Sequence, residues 1–305
     1  LRLYTHPACL GHDPGIGHPE SPARLRAVLK VLDDPRFSAL ERVEAPRVTR
    51  EQLLRVHTPE YVDHIFASAP GGGHARLDPD TVMSPGSLEA ALRAAGAACA
   101  AVDAVLASVT RHAFCAVRPP GHHATRDEAM GFCLFNNVAL AAARALETHG
   151  LERVAIVDFD VHHGNGTQDI FWHEPRVMYA SSHQMPLYPG TGAAHEHGDG
   201  NILNAPLPPG AGSAEFRAVW EQHLLPELDR FRPQLLLISA GFDADARDPL
   251  AQLQLVPDDY AWITQHLVEL ADRHADGRIV SSLEGGYDLD ALREGATAHV
   301  AALME

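Results

Sequence analysis

Arg153-Val154-Ala155-Ile156-Val157-Asp158-Phe159-Asp160-Val161-His162-His163-Gly164-Asn165-Gly166 is the stretch that decides the fold. Its first half is a short apolar run without polar alternation, as a strand buried on both faces of a parallel sheet requires. Its second half turns abruptly to acids, imidazoles and glycines. Strand, polar loop and helix in succession make a βα unit, and the same rhythm recurs along the chain. Residues 113–117, 153–158, 177–182, 235–240 and 279–283 are the strand candidates. Helical periodicity marks 22–32, 86–108, 138–149, 214–230, 257–275 and 289–303, several of which open on Pro or on a capping Asp or Ser. The Gly/Pro-rich loops at 70–73, 189–200 and 206–212 are too short to be domain linkers. Residues 1–305 are therefore expected to form a single doubly wound α/β domain, with helices flanking a central, mainly parallel sheet.

Composition agrees with that expectation. Of 305 residues, 46% are hydrophobic and 21% charged, which supports a globular core and excludes disordered and fibrous classes. The longest apolar stretch, 94–109, is mostly Ala and is broken by Asp103, short of the ~20 apolar residues a membrane span needs. The formal net charge is −16, from 24 Lys and Arg against 40 Asp and Glu. Such a charge repels phosphate backbones and anionic lipid, so no direct nucleic-acid or membrane partner is expected and cationic partners are favoured. Cys9, Cys99, Cys115 and Cys133 form no C-x-x-C pair. Neither a basic n-region nor an apolar h-region opens the chain, so a reducing cytoplasm is the expected location.

Ligands of doubly wound folds bind outside the carboxyl ends of the strands. Five such ends carry polar sequence here: Arg118 to Ala124, Asp158 to Gly166, Ser181 to His183, Gly241 to Asp243 and Glu284 to Tyr287. Asp160 and His162, two residues apart, can grip one metal ion, with Asp243 from another strand end as third ligand. Three protein ligands leave a position open, the arrangement of a catalytic rather than a structural zinc site. The tandem His122-His123 follows two prolines and a glycine, and neighbouring imidazoles titrating near neutral pH can serve as base and acid. Tyr287, after two glycines, is a neutral donor suited to a developing oxyanion. Singly, these are a hydrogen-bonded loop, a capping imidazole and a half-buried ring. Their convergence on one sheet edge gives them functional weight.

With these residues assembled, the chain resembles the histone deacetylase superfamily, which includes acetylpolyamine amidohydrolases and acetoin-utilisation proteins. The resemblance runs from His18-Pro19-Glu20-Ser21-Pro22-Ala23-Arg24 through His57-x-x-x-Tyr61, the Arg118 to Ala124 run, Gly131-Phe132-Cys133 with Asn136-Asn137, and the Asp158 to Thr167 run. It continues through Tyr188 to Gly192 and Ser239 to Asp243, and ends at Glu284 to Tyr287. It implies an arginase-like fold and a divalent metal, expected to be Zn²⁺, on Asp160, His162 and Asp243. It further implies that Asp158 backs His122 and Asn165 backs His123, with His123 as proton shuttle. At the position of Asn165 the best-known class I enzymes have Asp, so the chain looks like class II. Asp158 and Ser181 match a monovalent-cation site, implying K⁺. By the same resemblance Gly131 offers its carbonyl to the scissile-side amide, Phe132 and Tyr188 match the aromatic walls of a channel for a linear alkyl chain, and Leu250 matches its rim, where polyamine-selective members carry Glu.

The implied reaction is hydrolysis of an N-acetyl amide, with an acetylated lysine side chain or a small acetylated amine such as a polyamine as substrate. Two carboxylates and one imidazole form a fairly hard ligand set that Fe²⁺ or Co²⁺ also fills. An arginase-type ureohydrolase would share the fold class, but its two-metal site needs further carboxylates and no histidine pair. A non-catalytic acyl-binding protein would have lost the histidine pair or Tyr287, and this chain keeps both.

Overall fold

The computed structural model describes residues 1–305 and contains ten strands. They are β1 (Arg2–Thr5), β2 (Glu41–Glu44), β3 (Ala75–Arg76), β4 (Val82–Met83), β5 (His112–Cys115), β6 (Val154–Asp158), β7 (Val177–Gln184), β8 (Ile202–Leu207), β9 (Leu235–Ala240) and β10 (Ile279–Leu283). Strands β3 and β4 form a small antiparallel pair. The other eight make one sheet in the order β2-β1-β5-β10-β9-β6-β7-β8, parallel throughout.

The five strands legible as apolar runs are the wholly buried ones of the eight-stranded sheet, β5, β6, β7, β9 and β10. Strands β1, β2 and β8 were not expected. At one edge, β2 is mostly exposed and carries Glu41, Arg42 and Glu44, charges that discourage edge-to-edge pairing. At the other edge, β8 contains Asn204 and Pro206. Edge strands need no two-sided apolar pattern, and β1 is only four residues long, so periodicity does not reveal them.

Helices form close to the expected bounds at Pro22–Val31, Ser87–Leu106, Asn137–Glu147, Pro257–His274 and Leu289–Met304. The segment 214–230 is a correction. It is not one α-helix but two, Ser213–Val219 and Leu225–Phe231, joined by a π turn at Trp220–Leu224. Pro226 has no N–H to donate, and the wider turn before it takes up the mismatch. The same turn buries Trp220, whose indole N–H donates to Ser182 Oγ at 3.0 Å. Helices at Pro59–Ser68 and Asn165–Phe171 were also not expected.

Apolar side chains from both faces of the sheet and the surrounding helices join one continuous core. The sheet order creates the crevice for the site. After β5 the chain crosses to β6, then steps outward through β7 and β8, and β9 and β10 later fill the gap between β5 and β6. Because all eight strands are parallel, the loops after β5, β6, β9 and β10 open on the same edge at the middle of the sheet, where a topological switch places a ligand site. No helix is long and apolar enough to cross a membrane.

Candidate active site

Beyond the last residue of β6, Asp160 and His162 turn back towards Asp243, which follows β9. One ligand atom from each residue lies within 4.8 Å of the other two, and all three side chains are buried. His162 Nδ1 is 3.2 Å from Asp160 Oδ1 and 3.2 Å from Asp243 Oδ2. Backbone donors orient the other oxygens: Gly285 N–H donates to Asp160 Oδ2 at 2.8 Å and Val161 N–H to Asp243 Oδ1 at 2.9 Å. A Cβ on Gly285 would collide with both carboxylates, so only glycine admits this approach. Burial pushes the Asp243 carboxyl up, and the negative Asp160 adds to the effect. Burial opposes a charge on His162, yet its bonds to Asp160 and Asp243 carry its pKa to about 10. Two carboxylates so close together require a positive charge between them, and this donor set suits a divalent cation.

The histidine pair occupies the turn after β5, with ring centroids 4.1 Å apart. His122 Nδ1 lies 3.0 Å from Asp158 Oδ2, an oxygen that also accepts from the Tyr179 hydroxyl at 3.0 Å. Burial disfavours the His122 imidazolium, but Asp158 and Asp160 outweigh it and hold the pKa well above the ordinary range. His123 is shifted the opposite way. Burial, then the positive charges of His122 and His162, keep it well below the usual histidine range. Its Nδ1 is 2.8 Å from Asn165 Oδ1. With the amide oxygen as acceptor, Nδ1 carries the proton and Nε2 is left free to accept one.

Tyr287 follows β10 on a turn fixed from two sides. Its N–H donates to Asp248 Oδ2 at 2.7 Å, and the Arg24 guanidinium lies 4.9 Å from its ring centroid. Arg24 also donates to Gly286 O at 2.6 Å and Glu284 O at 2.5 Å. Burial pushes the Tyr287 hydroxyl well above 10, so it is a donor at neutral pH.

His123, His162 and Tyr287 face one cavity of about 250 Å³, completed by Pro19, Asp80, Gly131, Phe132, Leu187, Tyr188 and Leu250. Gly131 has φ 54°, and a Cβ there would collide with the His123 ring. Phe132 takes the left-handed conformation too, at φ 69°, which costs a non-glycine residue about 1–2 kcal/mol. Its N–H donates to Thr81 Oγ1 at 3.1 Å, and its ring meets Tyr287 edge-on at 5.8 Å. Across the cavity the Tyr188 ring is 5.2 Å from His123 and 38% exposed.

Residues 18–303 match the family model for the histone deacetylase domain. The chain belongs to the histone deacetylase family. It is 44% identical over 277 residues to a histone deacetylase-like amidohydrolase of Pseudomonas aeruginosa, covering 89% of this chain and 73% of that one. It is 40% identical to a probable deacetylase of Archaeoglobus fulgidus, covering 94% of this chain and 81% of the relative. Its structure superposes on the crystal structure of the HDA15 HD domain with a TM-score of 0.94 at 36% identity, covering 100% of this chain and 88% of the other.

Within this histone deacetylase fold, His123, His162, Tyr287, Gly131, Phe132, Tyr188 and Leu250 line the cavity, and His122, Asp158, Asn165, Asp160 and Asp243 are hydrogen-bonded to one another or to its lining within the loops behind it. Asp158 and Ser181 are register partners across β6 and β7, with Ser181 Oγ 2.9 Å from His183 Nδ1. Sequence reading missed Asp80, whose carboxyl in the cavity is pushed up to about 6 by burial and by Asp78. It also missed Tyr179 behind Asp158, an apolar-looking strand residue whose hydroxyl gives no sequence signal. Nor did the sequence mark Glu20 and Arg24 as parts of a buried ionic cluster beside the Tyr287 turn. There Arg118 donates to Glu20 through Nε and Nη2, both at 2.5 Å, and Arg24 Nη1 donates to Glu20 at 2.9 Å.

Proposed function

We propose that this histone deacetylase family member hydrolyses the N-acyl amide of lysine side chains at a single Zn²⁺ held by Asp160, His162 and Asp243. The carrying observation is the one cavity that His123, His162 and Tyr287 share, directly over the buried Asp-His-Asp cluster. A divalent ion bound there supplies Lewis acidity, polarising the acyl carbonyl and activating water. The Phe132 and Tyr188 rings flank the alkyl chain, and the Gly131 carbonyl receives the amide N–H. His123, neutral with Nε2 free, takes the proton from the attacking water and passes it to the departing amine. The Tyr287 hydroxyl donates to the oxyanion developing on the acyl oxygen. His122, paired with Asp158, stays charged and helps keep His123 neutral. Asp158 and Ser181 would contribute to a K⁺ site between β6 and β7. Residues 1–305 act as one deacetylase domain in this reading.

Purified protein of known metal content should release acetate from acetyl-lysine peptides, and chelation followed by Zn²⁺ should remove and restore that activity. Metal-replete protein that cleaves no acyl-lysine peptide, acetylpolyamine or longer acyl-lysine would overturn the reading.

A further inference from the structure

Glu284 is a fully buried carboxylate to which the proposed reaction assigns no role. No Arg or Lys pairs with it. Its Oε2 instead accepts two adjacent backbone N–H groups, from Gly121 at 2.7 Å and His122 at 3.2 Å, and its Oε1 accepts the Ser239 hydroxyl at 3.2 Å. Its own carbonyl is held by Arg24, which also grips Gly286 in the turn leading to Tyr287. The next residue, Gly285, donates to Asp160. Glu284 thus ties the histidine turn after β5 to the tyrosine turn after β10, and the residue that follows it reaches the Asp160 carboxylate. We propose that Glu284 is a positioning residue, fixing the His122-His123 turn against the Tyr287 turn through its bonds to Gly121 N–H and His122 N–H.

This rests on the deacetylase reading. A wild type that cleaves no acylated amine defeats that reading, whereas an active wild type with indifferent Glu284 variants defeats only this one. Displacing the shuttle by a fraction of an ångström costs turnover more than ground-state binding, since misplacement by about 1 Å can cost ~10²-fold. Glu284→Leu keeps the bulk and removes the acceptor. It should lower kcat by about 10–100-fold with KM within about twofold and metal content at wild-type stoichiometry. Glu284→Gln keeps an acceptor oxygen for both N–H groups and should restore kcat to within about threefold of wild type. If the Leu variant does not fold, Ser239→Ala carries the test. Freeing Oε1 should lower kcat by several-fold at unchanged KM, and an unchanged kcat there overturns the proposal. So does a Gln variant as impaired as the Leu variant, or a loss of kcat that follows loss of bound metal.

Discussion

Asn165 Oδ1 lies 2.8 Å from His123 Nδ1, so the outer histidine of the pair is backed by a neutral amide, while Asp158 backs the inner one at 3.0 Å. Against the cost of burial, Asp158 and Asp160 hold His122 well above the usual range, while burial and the charges of His122 and His162 keep His123 well below it, a depression that the neutral Asn165 amide does not offset. Asn165→Asp would place a negative charge beside His123 and favour its imidazolium, raising its pKa. An imidazole acts as a general base only when neutral. The acid limb of the kcat/KM profile should therefore move to higher pH, as a pH–rate series would show, and an unmoved limb would contradict the assignment of His123 as base.

Tyr287→Phe removes one hydroxyl and leaves the ring between Phe132 and Arg24. Metal content and KM should persist, while kcat falls by about 10²–10³-fold, the usual cost of losing one oxyanion donor. Steady-state kinetics with acetyl-lysine peptides measures both quantities. A kcat within threefold of wild type would remove Tyr287 from the reaction.

Asp243→Ala removes one of the three residues proposed to hold the metal, whose ligand atoms lie within 4.8 Å of one another. Two remaining ligands should not retain a divalent ion through dialysis, and Asp160→Ala and His162→Ala should behave alike. Elemental analysis decides the matter: one ion per chain in any of these variants would place the metal elsewhere.

The parts of this structure legible in the sequence are those where one residue type has one physical use. Runs such as Ile156-Val157 and Leu235-Leu236-Leu237 had to be central strands because both their faces are covered, and acids or imidazoles directly after them had to face the crevice. The edge strand Glu41–Glu44 was hidden because solvent on its outer side relaxes the demand for apolar residues. Glu20, Arg118 and Glu284 were visible only as motif letters. Their importance comes from burial and from partners such as Glu20 and Arg118, which are far apart in sequence and which no periodicity brings together.

Glu20 is fully buried between Arg24, Arg118 and His12. Burial alone would raise its carboxyl, but Arg118 and then His12 outweigh that and hold it well below the usual carboxylate range. Since the folded-state pKa is the lower one, its contribution to stability is complete above about pH 4.5 and is lost as pH falls through the folded value. Glu20→Ala leaves two guanidiniums buried without their anion and should cost about 3–5 kcal/mol in urea unfolding at pH 7. A loss below about 1 kcal/mol would mean that the cluster relaxes or hydrates when its anion is removed.

Leu250 decides the prediction about substrate class. It lines the cavity with Tyr188 and Phe132, and its N–H is fixed to Asp248 Oδ1 at 3.0 Å. The other oxygen of that carboxylate holds the Tyr287 N–H, so Leu250 and Tyr287 are anchored by one group. An apolar side chain at the rim packs against the alkyl stem of an acyl-lysine but leaves the second ammonium of an acetylpolyamine without a partner. Asp80 is the one carboxylate lining the cavity; burial and Asp78 push its carboxyl up to about 6, which still leaves it anionic at neutral pH, so its charge competes with the apolar rim in selecting the substrate. Wild-type protein should show a larger kcat/KM for acyl-lysine peptides than for acetylated spermidine or putrescine. Leu250→Glu would place a negative charge where that second ammonium arrives, and one such complementary contact is worth enough to shift the ratio towards polyamines by about 10-fold or more. Competition assays with both substrate types in one reaction read the ratio directly. A wild type that prefers acetylpolyamines, or a Leu250→Glu ratio equal to wild type, would show that the rim does not select the substrate.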